Sequence, residues 1–498
     1  MNHTPFASYI ETYKNTLTAL FNERNNEGHL ASNRGLPPYV LQQVLECNPL
    51  STFIPEAYGG RGASTHEALT MLEISSYQSL PLSLMMGING ALFLQPLANY
   101  GHDDVKNVIF KRFLEQKKMG GLMITEPDFG SEALKMQTSF TWKDDHYAIK
   151  GLKHWAGLTG WADYWLITAR GLDEKGHLGR DIGFFVHDTS NGGIDVEEVF
   201  QNLGLYMLPY GRNRIDIQVH ESHRLQPQTT GVTMMLDLLH RSRHQFPGMA
   251  TGFLRRILDE AIDHCKTRFI GGSSLFQYDQ VKERLAQLQS FFTISSAMSY
   301  FTSTSISLDK DTSRLDLTAN AIKSVVTDYM QSAAQSFLQL VGAKGYKLEH
   351  LAGRSITDSR PFQIFEGSND ILYQQISESV IKKMRSMKTA NLYAFLNDYS
   401  HTSKAANYFK ELLNFDIDMR MPQRKMVELG RAVGRLVSMH MTIELGEKGF
   451  NNAMISNSLM VLQKEIRNLL ASHHFNQNAD VVEDYQDSSR WMNYLSAW

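Results

Sequence analysis

The stretch Pro361-Phe362-Gln363-Ile364-Phe365-Glu366-Gly367-Ser368-Asn369-Asp370-Ile371 sets one carboxylate, Glu366, directly after an apolar run and before a glycine. Apolar walls disfavour the charged form of a carboxylate, so its pKa rises. That suits a general base taking a weakly acidic C–H proton near neutral pH. Gly367 lets the backbone approach a ligand closely. The same residues also read as a helix start, with Ser368, Asn369 and Asp370 as caps and Glu366 merely adjacent. On local residues alone both readings stand.

Around this stretch the helical period dominates. Leu254, Ile257, Leu258, Ala261, Ile262 and Cys265 form one apolar stripe, with Arg255, Arg256, Asp259 and Glu260 facing away. Ile322, Val325, Val326, Tyr329, Phe337 and Leu340 form another, stopping at Gly342. Residues 226–385 therefore read as a helical bundle, and 386–498 as a further helical tail. Upstream, over 121–225, the period changes to two. Ser139–Trp142 and His146–Ile149 flank a Lys-Asp-Asp turn, Tyr164–Ile167 and Ile182–Val186 are short strands, and Ile215, Ile217 and Val219 alternate with polar residues. This is a β domain. Residues 1–120 are helical, with Ser64-Thr65-His66-Glu67 as a capping box. The fold class is α+β.

Composition narrows the function. With 49 Lys plus Arg against 52 Asp plus Glu, the net charge of -3 leaves no footprint for nucleic acid. The two cysteines, Cys47 and Cys265, exclude a disulfide framework and a Cys-based zinc site, and no metal is expected. The charge-free run from Ile74 to Gly101 is long enough to span a membrane, but Pro81, Pro96, Gly87, Gly90, Asn89 and Gln95 interrupt it. Buried helices joined by a turn are expected there. No secretory signal is visible at the N-terminus, and a cytoplasmic location is expected. Walker A, HExxH, GxSxG and strand-borne GxGxxG patterns do not occur, which disfavours a nicotinamide-binding Rossmann unit.

Phe365-Glu366-Gly367-Ser368-Asn369-Asp370-Ile371 resembles the catalytic signature of acyl-CoA dehydrogenases, flavoproteins that desaturate acyl thioesters, and looks most like the very-long-chain branch. Ile54–Gly60, Thr125–Glu132, Lys153-His154-Trp155 and Gln339–Tyr346 resemble further family motifs in the same order. Arg243 and Arg268 lie 25 apart, and Gln339 and Glu366 lie 27 apart, spacings that fit the family frame. Five ordered motifs over about residues 35–385 favour the base reading of Glu366.

The resemblance implies an N-terminal helical domain, a middle β-barrel or sandwich domain, a C-terminal helical bundle and an added helical tail. It implies FAD as cofactor, an acyl-CoA substrate of medium to long chain and a trans-2-enoyl-CoA product. Glu366 would remove the α-proton while hydride leaves the β-carbon for flavin N5. Its backbone N–H would polarise the thioester carbonyl. Thr125, Ser131 and Trp155 would contact the flavin, and Arg268 the FAD pyrophosphate, of a neighbouring subunit. Gln339, Gly342 and Gly345 would line the adenine half, and Ser368 and Asp370 the adenosine side. Ser131, Arg243 and Gly367 would meet substrate. An electron-transfer flavoprotein as acceptor, a homodimer or tetramer, and a role in fatty acid metabolism follow from the same likeness.

The chain also departs from the family. Asp128-Phe129 replace small residues, Ala156-Gly157 follow Trp155 where a hydroxyl is usual, with Thr159 as a substitute, and His240 replaces an acidic residue. These keep open a carrier-protein-tethered substrate, a flavin-binding scaffold without turnover, and an oxidase. In the tail, Lys382, Lys383, Arg385 and Lys388, then Arg420, Arg424 and Lys425, interleave with methionines. That pattern fits peripheral contact at the inner face of a membrane and equally a solvated face over Met packing.

Overall fold

The computed structural model describes residues 4–62, 64–477, 479–486 and 489–495. Helices occupy the first quarter, including Phe6–Thr18, Pro38–Glu46, Thr65–Gln78, Leu80–Asn89 and Asp103–Gln116. Ser64 sits at the N-cap of Thr65–Gln78 without a side-chain cap bond. The expected capping box is not made, because Glu67 pairs with Arg61 at 2.9 Å instead. The apolar run 80–100 is helical and long enough to cross a membrane, but 94% of its apolar window is buried inside the structure. It breaks into Leu80–Asn89, a π-helical turn Gly90–Leu94, and Gln95–Tyr100. Pro96 lies two residues past that turn, and inserted backbone of this kind is a common way for a helix to absorb a proline.

Seven strands form one sheet in the order β1-β4-β2-β3-β7-β6, with β5 also paired to β4. They are β1 (Gly120–Met123), β2 (Ser139–Lys143), β3 (His146–Gly157), β4 (Tyr164–Leu172), β5 (Leu178–Asp188), β6 (Ile194–Val199) and β7 (Tyr210–His220). The hairpin read from sequence is β2–β3, with Asp144 in the left-handed region of its turn. Strands β1 and β6 carry no alternation strong enough to have been read beforehand. The β3–β7 register breaks between Lys153 and Ala156. That bulge contains Trp155 at φ 53°, and its extra residue turns the indole out of the ladder.

Helices Gly231–Arg243, Phe246–Thr267, Asp279–Ser305, Asp316–Val341 and Asn369–Met387 form the bundle. The N-terminal domain locks onto it by close helix contact. A Cβ at Gly252 would sit 2.0 Å from the Glu73 carbonyl. The tail helices Gln423–Glu447 and Asn452–His474 pack on the bundle as well. A Cβ at Gly430 would sit 1.8 Å from the Tyr373 carbonyl, so only glycine admits this approach.

Candidate active site

Glu366 occupies a turn directly before helix Asn369–Met387, as the helix-start reading of its segment expects. Its φ is 55° and that of Gly367 is 93°. A left-handed glutamate persists only where its surroundings fix it. Arg243 does so from one side, its Nε and Nη2 donating to the Glu366 carbonyl at 3.1 and 2.7 Å. Lys323 does so from the other, donating to the Gly367 carbonyl and to Asn369 Oδ1, both at 2.9 Å.

The carboxylate itself is held lightly. Ser242 donates to Glu366 Oε1 at 2.9 Å. Oε2 is sealed from solvent and has no partner among the described residues. Phe365 packs with Phe362 and Phe246, ring centroids 5.0 and 6.0 Å apart. Burial raises the pKa of Glu366, against the pull of Arg243, Ser242 and Lys323. Burial also lowers its cationic neighbours, Arg243 to about 10 and Lys323 to about 7. The result is a poorly solvated carboxylate with one free oxygen, the state a general base needs.

The helix Asp316–Val341 supplies Asn320, Lys323 and Asp328 to this site. Asn320 Oδ1 accepts from Arg243 Nη1 at 2.7 Å. Asp328 Oδ1 accepts from Gln363 Nε2 at 2.8 Å and from Asn369 Nδ2 at 2.7 Å, one bond on each side of Glu366. Sequence reading missed Ser242, Asn320, Lys323 and Asp328. The available signal was a set of polar residues at helical spacing (320, 323, 327, 328) within helix Asp316–Val341.

Thr125 and Trp155 come together at neighbouring strand ends. The His154 N–H donates to the Thr125 carbonyl at 2.8 Å. Beneath them Lys153 and Glu126 form a buried ion pair at 3.0 Å, completed by Thr138 and Thr168. The charged residues of two separate motifs thus bond each other and fix the strand ends that carry Thr125 and Trp155. Trp155 lies 4.6 Å from Phe200 and 6.5 Å from Tyr210, centroid to centroid, and remains 55% exposed. Burial first, and then the charge of Glu366, raise the Tyr210 pKa. Ser131 is exposed in the loop after Glu126.

The remaining expected cofactor residues lie elsewhere. Arg268, Gln339 and Gly342 are exposed at the ends of their helices. Gly342, at φ 73°, ends helix Asp316–Val341. Gly345 is buried, and a Cβ there would press on Leu338, Val341 and Ala352, so its smallness serves packing. Ser368 stands at the helix N-cap without a side-chain cap bond. Asp370 is exposed and pairs with Arg431 of the tail at 2.8 Å. The hydroxyl of Thr159 donates to the Ala156 carbonyl and accepts from Asn213. His240 is buried against the Thr312 carbonyl, and burial lowers it to about 4. No cluster of three or more potential metal ligands occurs among the described residues.

A helical N-terminal domain and a middle β domain precede the helical bundle, which carries the buried carboxylate of Glu366 at the start of helix Asn369–Met387. The chain belongs to the acyl-CoA dehydrogenase family. Its residues 13–117, 121–216 and 229–381 match the N-terminal, middle and C-terminal domains of that family. It is 22% identical over 372 residues to the mouse very long-chain specific acyl-CoA dehydrogenase, covering 74% of this chain and 56% of that protein. The chain thus spans little more than half the length of that relative. The glutaryl-CoA dehydrogenase of Desulfococcus multivorans is 25% identical over 355 residues, 70% of this chain and 88% of its own. Among solved structures, a Bacillus anthracis acyl-CoA dehydrogenase complexed with FAD aligns at TM-score 0.77 and 16% identity. That alignment covers 95% of this chain and 88% of the other.

Proposed function

We propose that the protein is a FAD-dependent dehydrogenase that converts an acyl-CoA thioester of medium to long chain to its trans-2-enoyl product. The observation that carries this reading is Glu366, whose buried Oε2 is free and whose pKa is raised by burial. Glu366 takes the α-proton on Oε2, while Ser242 keeps Oε1 in place. Arg243 and Lys323 fix the turn, so the base meets the substrate without rearranging. The backbone N–H of Glu366 polarises the thioester carbonyl. FAD, when bound, supplies the acceptor for the β-hydride.

The residues fit that cofactor. Trp155 offers an open aromatic face beside the Thr125 strand end. Arg268 has no side-chain partner among the described residues, as befits a cation reserved for a pyrophosphate. Phe269, Ile270, Tyr346 and Leu348, close in sequence to Arg268 and Gly345, are exposed apolar groups. A second copy of the chain covering them would bring Arg268 to the neighbour's cofactor. An electron-transfer flavoprotein is the proposed acceptor. A cytoplasmic location with peripheral contact of the tail at the inner face of a membrane belongs to the same proposal. Exposed Phe475, Val481, Val482 and Trp491 beyond the last long helix support it. The interleaved methionines offer less, since Met384 and Met421 are core residues. Flotation of the full chain with anionic liposomes at low salt tests it.

The deciding experiment for the activity is the visible spectrum of the purified protein, before and after acyl-CoA thioesters under nitrogen. A flavin spectrum that bleaches is expected. A colourless protein, or one that no thioester bleaches, contradicts the reading.

A further inference from the structure

Immediately after Arg243 the chain turns from one bundle helix into the next through His244 and Gln245. Three deeply buried polar atoms around this joint have no partner among the described residues: His244 Nε2, Gln245 Oε1 and Gln95 Nε2. Their residues are 1%, 2% and 2% exposed. Gln245 Nε2 donates to Gln95 Oε1 at 2.9 Å. Exchanging oxygen and nitrogen in both amides leaves the same deficit, one donor and one acceptor.

His244 adds a second acceptor. Its Nδ1 lies 2.8 Å from the His240 carbonyl and so carries the hydrogen. Burial keeps the ring neutral, which leaves Nε2 a bare lone pair. Gln95 enters from the N-terminal domain, directly after the π-helical turn Gly90–Leu94, among buried Phe93, Leu94 and Leu97. Turns of that type often mark functional sites. The joint connects to the base by two short links. The Gln245 N–H donates to the Ser242 carbonyl at 2.9 Å, and Ser242 donates to Glu366.

Resting on the dehydrogenase reading, we propose that His244, Gln245 and Gln95 line the acyl pocket beyond the reacting carbons. The acyl group they take carries a neutral hydroxyl, which both donates and accepts. A plain alkyl chain would leave a donor and two acceptors buried and unmet, whereas one hydroxyl meets the donor and one of the acceptors. A second carboxylate finds no free cation beside this joint among the described residues. Arg241 is spent on Asp237 and two carbonyls, and Arg243 on the Glu366 carbonyl and Asn320.

The test uses the flavin-loaded full chain under nitrogen, with straight-chain acyl-CoAs and their terminal-hydroxy counterparts of equal length. At the length that reaches the floor, the hydroxy compound should bleach the flavin about tenfold or more faster at subsaturating concentration. In the doubly substituted Gln95→Leu, Gln245→Leu protein the preference should vanish or invert. Binding to Glu366→Gln, followed by the shift of the flavin spectrum, should give the same order without turnover. Plain chains matching or exceeding the hydroxy compounds at every length overturn the inference and leave the dehydrogenase reading intact. Equal affinities in Glu366→Gln also overturn it, since ordered water then fills the floor. Bleaching by neither series removes the dehydrogenase reading, and this inference with it.

Discussion

Arg435, on a tail helix, donates to Asp328 Oδ2 in the bundle at 3.2 Å, and the other oxygen of Asp328 holds both flanks of the turn that carries Glu366. Tyr373 joins the same oxygen as Arg435 at 2.6 Å, and Glu465 accepts from Arg435 Nε at 2.9 Å. The tail is therefore bonded, through one carboxylate, to the segment that presents Glu366. Burial opposes the charge on Asp328. Arg435 and the hydrogen bonds from Tyr373, Gln363 and Asn369 outweigh it and hold the pKa below its ordinary value.

Arg435→Leu leaves the partly buried Asp328 and Glu465 without their shared cation. It should cost about 3 kcal/mol of stability, measured by denaturant unfolding, and slow substrate bleaching by loosening the Glu366 turn. An unchanged midpoint would mean that the tail docks by apolar packing alone. The pH dependence has a definite sign. Because folding lowers the Asp328 pKa, its contribution is complete above the ordinary value of 3.8 and is lost as pH falls through the folded value.

Ser242→Ala removes the one hydrogen bond that favours the charged form of Glu366 at Oε1. The pKa, already raised by burial, should rise further. Since the base must be unprotonated, the acid limb of the bleaching-rate profile should move up by roughly one pH unit. A limb that stays in place would show that Ser242 does not bond the carboxylate in the working enzyme.

Gly430→Ala sets a Cβ 1.8 Å from the Tyr373 carbonyl, a backbone atom that cannot swing aside. The two helices must part, at a cost of about 1–3 kcal/mol. Thermal unfolding of the variant checks this, and wild-type stability would contradict the close contact.

Arg268→Ala should weaken FAD retention about tenfold, because guanidinium and pyrophosphate pair by charge-assisted bonds. The rate at saturating FAD should hardly change. Equilibrium dialysis or flavin fluorescence gives the affinity, and an unaltered value would leave Arg268 as a helix-end cation.

The three-part architecture was legible because its periods differ. The stripe ending at Gly342 and the alternation at Ile215, Ile217 and Val219 follow from local chain geometry. An apolar run, a carboxylate and a glycine in line drew attention to Glu366, but it was the resemblance of five ordered motifs, not that local pattern, that favoured the base reading. The clamp around Glu366 was not legible. Asp328 and Arg435 are 107 residues apart and Ser242 and Glu366 are 124 apart, and no local pattern announces such pairs. Lys153 and Glu126 fall between these cases. Each sits in a recognisable motif, but their mutual bond appears only once β3 lies beside the strand-end loop.

The central claim is that Glu366 is the base, and the most direct measurement is anaerobic flavin bleaching by substrate in Glu366→Gln. The swap removes basicity at nearly constant shape. The account predicts a folded, flavin-bearing protein that binds acyl-CoA but is not bleached by it. Bleaching of Glu366→Gln at the wild-type rate would contradict it.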